Sequence, residues 1–116
     1  MAKTECEKAV EIARLVRDGK GQDTVVLDIS GLNSWTDFFV ITTVSSSTLA
    51  GGIYKAVKDY VKENDMEIHL THHKTSDGSE WQLIDIGTVV VHLMSDEARN
   101  FYELEKLWHA GKNIEF

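Results

Sequence analysis

The chain of 116 residues has a single cysteine, few basic side chains and no long apolar run. Cys6 has no second thiol with which to close an internal disulfide or clip a metal, so a reducing compartment is expected. The N-terminal residues Lys3, Glu5 and Glu7 give that end a charged character instead of the apolar core of a secretory signal. No stretch approaches the roughly 20 apolar residues that cross a bilayer. A cytoplasmic location, without membrane association, follows as the expectation. Twelve Lys and Arg stand against nineteen Asp and Glu, for a formal charge of -7. Such a chain lacks the basic stripe of a phosphate-backbone binder, so direct specific nucleic-acid binding is not expected. A phosphate-cradling glycine loop, a zinc pattern and a nucleophile elbow are missing too.

With 42% hydrophobic and 27% charged residues, the composition is that of a folding globular chain, and the length suits one domain over residues 1–116. Its acidic surface favours encounter with a basic protein, because complementary charge raises association rates and suppresses wrong partners.

Residues 4–18 place Cys6, Ala9, Val10, Ala13 and Val16 at helical spacing, and Asp18-Gly19-Lys20-Gly21 closes that helix. Val25-Val26-Leu27-Asp28-Ile29 predicts a strand, followed by the turn residues Ser30 to Ser34. Residues 38–44 are apolar nearly throughout, as in a central strand covered on both faces. Ser45, Ser46, Ser47 and Thr48 offer caps for a second helix with Leu49, Ile53, Ala56, Val57 and Tyr60 inward. Gly51-Gly52 inside it suggests close backbone packing. Residues 66–71 predict a third strand, and residues 72–78 a polar connection.

Residues 80–85 and 88–94 predict a hairpin turning on Ile86-Gly87, with Asp85 facing Thr88, Leu83 facing Val90 and Trp81 facing His92. One face then carries Trp81, Leu83, Asp85, Thr88, Val90, His92 and Met94; the other carries Gln82, Ile84, Val89, Val91 and Leu93. A final helix begins near Ser95 and lines up Phe101, Leu104, Leu107 and Trp108, with Phe101 and Leu104 inward and Arg99 paired with Asp96 or Glu103. The fold expected is α+β: a single mixed sheet of about five strands with helices mainly on one face.

The mixed hairpin face alternates aromatic bulk with hydrogen-bonding groups. It reads equally as an interface hot spot or as a satisfied polar pair beside a core tryptophan. Tyr102 and Trp108 add candidate contact area. His69, His72 and His73 lack a carboxylate or thiolate at ligand spacing, and adjacent strand histidines point to opposite faces. Asp28 and Asp37 read as a hydrogen-bonded and a turn-capping aspartate, and Cys6 as half-buried packing. Neither a metal nor a cofactor is expected.

Three stretches, Thr36 to Ile41, Trp81 to His92 and Arg99 to Trp108, resemble the successive signatures of the ribosomal silencing factor (Iojap-like) family in order and spacing. The chain departs from that pattern at Val44, where glycine is usual, and at Thr48 to Gly52, which replaces a more polar helix start. Asp77 to Glu80 stand for the family's acidic-glycine turn. The resemblance implies a nucleotidyltransferase-like fold without catalytic residues, hence no enzyme. It also implies binding to the large ribosomal subunit through ribosomal protein uL14, which obstructs small-subunit joining and represses translation. The motif residues carried over, as candidates for partner binding, are Trp81, Leu83, Asp85, His92, Arg99, Tyr102 and Trp108. A large-subunit assembly factor at the same surface and a phosphate-handling enzyme using Asp28 and Asp37 stand as alternatives, and a homodimer remains open.

Overall fold

Thr4 starts the first helix: its hydroxyl accepts the Glu7 amide at 3.0 Å, and Glu5 and Glu7 lie at the positive end of the helix dipole in α1 (Glu5–Asp18). The structure, a computed structural model, describes residues 3–32, 34–76 and 79–116. Ala9, Ile12, Ala13 and Val16 form the buried stripe of α1. The chain then reverses through Gly21, where a Cβ would run into the Val16 and Thr42 side chains, so only glycine lets β1 (Gln22–Asp28) start this close to the helix. β2 (Phe38–Thr43) pairs with β1 antiparallel and is buried at all six positions, as its unbroken apolar run requires. Ser46 caps α2 (Ser47–Glu63) by accepting the Leu49 amide at 3.1 Å, and Ala50, Ile53, Val57 and Val61 turn inward.

Next come β3 (Leu70–Ser76), β4 (Ser79–Asp85), β5 (Val89–Met94), α3 (Asp96–Tyr102), α4 (Leu104–Leu107) and β6 (Lys112–Ile114). Among the described residues the strands form one six-stranded sheet in the order β3-β4-β5-β2-β1-β6. Only the central β2–β5 pair is parallel, so the sheet is mixed. The two long helices cover one face, packing Ala9, Ile12, Ile53 and Val57 against Val40, Ile84, Val91 and Leu93. The opposite face carries Leu27, Phe39, Ile41, Val90 and Met94 under Ala98 of α3 and Leu104. Burying each large aliphatic side chain contributes about 1.5–3 kcal/mol, which makes this two-sided core the main source of stability.

The α+β class and the mixed sheet agree with the sequence reading, while five details change. The sheet has a sixth strand, β6, pairing with β1 through Val26 and Ile114. The third strand is displaced onto residues 70–76, so His72 and His73 belong to a ladder against β4 and not to a connection. An edge strand gains its stability from backbone pairing and one face only, so a polar composition does not exclude it. Residues 77 and 78 lie outside the described residues.

The hairpin register is shifted by two: Leu83 stands opposite His92, Trp81 opposite Met94 and Asp85 opposite Val90. The turn spans Ile86 to Val89, closed by the Ile86 amide on the Val89 carbonyl at 2.9 Å and bent at Gly87, where φ is 97°. Thr88, placed by the reading on the mixed face, lies in that turn and bonds the Glu5 carboxylate of α1. Gly51 and Gly52 have open space where a Cβ would stand, which removes close packing as their explanation. The last helix breaks at Glu103, whose φ of 47° and ψ of 51° are left-handed. Leu104 lies in the core as expected, whereas Phe101 is 78% exposed, against the expectation that it turns inward. The side chain of Leu107 lies outside the described residues.

Candidate functional site

Opposite α1 and α2, the β4–β5 pair and α3 assemble one aromatic cluster. Trp81 and His92 are diagonal neighbours on the two strands, and the indole N–H of Trp81 donates to His92 Nδ1 at 3.0 Å. The indole also lies against Tyr102 of α3, with ring centroids 4.6 Å apart. Phe39 of β2 meets His92 nearly edge-to-face at 4.5 Å and Trp108 at 5.5 Å. Trp35 extends the cluster at one end, 5.8 Å from Phe39, and Phe101 at the other, 5.1 Å from Tyr102. Each such pair is worth about 0.5–1.5 kcal/mol beyond its buried area, so the cluster holds itself in one arrangement.

The interior of this cluster is dry and its ends are wet. His92 is 2% exposed, and burial lowers its pKa to about 3, so the ring is neutral. Because Nδ1 accepts the indole proton, the neutral ring carries its own proton on Nε2. Nε2 is buried without a hydrogen-bond partner, an arrangement that costs about 1–3 kcal/mol. By contrast, Trp35 is 53% exposed, and it and Phe101 are large apolar side chains in water at opposite ends of the chain of rings. Leu70 is 58% exposed; it lies opposite Asp85 in the β3–β4 ladder and therefore shares the face of Leu83 and Trp81. Trp35, Leu70 and Phe101 thus add apolar area on the side of the sheet away from the long helices.

The remaining sequence candidates take different positions. Leu83 is half-buried beside the same core. Asp85 is committed to the turn, its Oδ1 accepting the Gly87 amide at 2.8 Å. Arg99 pairs with neither Asp96 nor Glu103, the partners expected for it. It donates to Glu105 at 2.8 Å and to the Thr43 hydroxyl at 3.0 Å, tying α3 to the end of β2. Tyr102 and Trp108 are half-buried, each with a ring against the cluster. Trp81, His92, Tyr102 and Trp108 are therefore brought together, with Leu83 alongside, while Asp85 and Arg99 hold the turn and the helix that frame them.

Three residues of the cluster escaped the sequence reading. Phe39 looked like ordinary strand core. Phe101 has the helical spacing of an inward residue. Trp35 carried a usable signal, since Leu32 and Trp35 are large apolar residues within a loop of serine, glycine and asparagine.

Asp28 accepts both the Ser30 amide at 3.0 Å and the Ser30 hydroxyl at 2.7 Å, and these bonds lower its pKa below the usual carboxylate value. Among the described residues no group of three or more His, Cys, Asp and Glu side chains is arranged to hold a metal. His73 lies 2.9 Å from the Glu80 carboxylate. Cys6 packs half-buried against the α1–α2 core. Among the described residues no helix is long and apolar enough to cross a membrane.

Comparison with known proteins agrees with this architecture. A Chromobacterium violaceum crystal structure superposes with a TM-score of 0.79 at 30% identity, covering 97% of this chain and 92% of that one. A ribosomal silencing factor of Treponema pallidum is 33% identical over 101 residues, 86% of this chain and 88% of the relative. The mouse protein named for mitochondrial assembly of the ribosomal large subunit is 32% identical over 98 residues, which are 84% of this chain and 43% of that protein. The family described as ribosomal silencing factor during starvation matches residues 2–116. With the tryptophan-to-histidine hairpin and the arginine-to-tryptophan segment folded onto one another across that whole span, the chain belongs to the ribosomal silencing factor family.

Proposed function

We propose that this protein binds the large ribosomal subunit through ribosomal protein uL14, docking with the aromatic face built on Trp81 and Tyr102, and that its bulk then obstructs joining of the small subunit. The observation that carries the reading is the aromatic chain from Trp35 to Phe101, exposed at both ends and buried at Phe39 and His92 between them. Large, pre-ordered aromatic groups provide contact area at small entropic cost and dominate interface energetics. The charge of -7 suits a basic ribosomal partner. No covalent step is required, since obstruction needs only affinity and volume. A role in large-subunit assembly at the same surface is the second reading, favoured by the name of the mouse relative.

Light scattering of purified small and large subunits tests the proposal. The protein is expected to reduce the association signal in a concentration-dependent manner and to co-sediment with large subunits alone. Normal association at saturating protein would overturn the obstruction. Binding without obstruction would leave the assembly reading.

A further inference from the structure

We infer that His92 is a positioning residue: from behind the proposed docking face, its Nδ1 holds the Trp81 indole in the orientation that the partner meets. The inference rests on the reading that the Trp81 face docks on the large subunit. Its physical basis lies in the site itself. At 2% exposure His92 offers almost no surface to a partner, yet its Nδ1 accepts the indole N–H at 3.0 Å. The other ring nitrogen gains nothing, being buried without a hydrogen-bond partner beside Phe39. An aliphatic side chain would fill the same space among Phe39, Val90 and Met94 without that penalty, so packing alone does not explain an imidazole here. What the imidazole supplies, and an aliphatic group does not, is an acceptor aimed at Trp81.

Two supports act on the indole from different elements. The His92 bond comes from β5 and fixes the indole nitrogen edge, and the Tyr102 ring packs against the indole from α3, tilted by 49°. A ring held only by such a contact can slide or tilt on its neighbour, whereas an added N–H···N bond fixes the direction of its edge. Burial also keeps the imidazole neutral, which preserves Nδ1 as an acceptor.

The test measures affinity for purified large subunits together with thermal stability. His92→Leu is expected to weaken binding on the order of ten-fold through loss of the one orienting bond. His92→Asn, whose side-chain oxygen occupies the position of Nδ1, is expected to restore most of that loss. Trp81→Phe keeps an aromatic ring but has no N–H, so in its background His92→Leu should cause no further loss of binding. That non-additivity is a readout that a purely structural role would not produce. If His92→Leu fails to fold, the comparison of His92→Asn, singly and with Trp81→Phe, carries the test. Full affinity of His92→Leu, equal weakness of Asn and Leu, or additive losses in the Trp81→Phe background would each overturn the inference while leaving the docking face intact. Unchanged binding of Trp81→Ala would instead remove the docking face itself.

Discussion

The guanidinium of Arg99 reaches across from α3 to the Thr43 hydroxyl at 3.0 Å and also holds Glu105 at 2.8 Å, so one side chain fastens α3 to β2 and to the segment after the helix break. Tyr102 lies one turn further along that helix and packs its ring against Trp81, which makes the position of the aromatic face dependent on this anchor. Arg99→Ala is expected to lower stability by about 1.5–3 kcal/mol, the range for charged hydrogen bonds. It should also weaken large-subunit binding. Chemical denaturation and co-sedimentation measure the two effects, and a variant with wild-type values in both would show that α3 is held by packing alone.

The exposed aromatic end separates binding from folding. Phe101 is 78% exposed and leaves almost no cavity when truncated, so Phe101→Ala is expected to lower stability by no more than its one ring contact with Tyr102 is worth, about 0.5–1.5 kcal/mol. Its affinity for large subunits should nevertheless fall. Trp81→Ala, at the centre of the face, should cost on the order of 2 kcal/mol or more of binding. Calorimetric titration against large subunits ranks the two, and equal losses would argue against a central hot spot.

Glycine positions predict stability changes of opposite sign. Gly51 and Gly52 sit inside α2 with open space around a would-be Cβ, so alanine at each should stabilise by up to about 1 kcal/mol. Gly21→Ala should destabilise, because its methyl group meets Val16 and Thr42. Thermal melts of the three single variants give the comparison directly.

Stability should fall with acid through His92. Burial lowers its pKa from the ordinary 6.5 to about 3, so as pH drops the unfolded chain takes up the proton first. The contribution is therefore absent above about pH 6.5, grows as a penalty below it, and levels off near the folded value. By pH 5 it amounts to about 2 kcal/mol at 1.36 kcal/mol per unit. Glu5, Glu11 and Asp28 have lowered pKa values, each with a side-chain hydrogen bond as the leading cause, so their stabilisation is lost only at more acidic pH. Denaturant midpoints between pH 7 and 5 should decline in the wild type and decline less in His92→Asn. Parallel curves would refute the assignment.

Much of the fold was legible because periodicity reports faces. The β4–β5 alternation sets Ile84, Val89, Val91 and Leu93 on the face opposite Trp81, and the structure packs that face under the long helices. A two-residue slip of register preserves face parity, which is why the pairing of Trp81 with His92 could be misread while both residues kept their side. The polar third strand was not legible, since residues 72–76 pair through backbone groups that composition does not reveal. Nor was the break at Glu103, which takes Leu104 off the helical phase of Phe101, so that Leu104 is buried and Phe101 is in solvent.

The motif that opens with Trp81 and ends with Trp108 was visible in the amino-acid order, together with the acidic charge, the lone cysteine and the helix and strand types, because these depend on composition and local spacing. The division of labour within that motif came only from the tertiary structure. Which ring lies in water, which nitrogen accepts the indole proton and which arginine holds the helix depend on contacts between β2, β4, β5 and α3, elements distant in sequence whose relative placement is decided by the shared core.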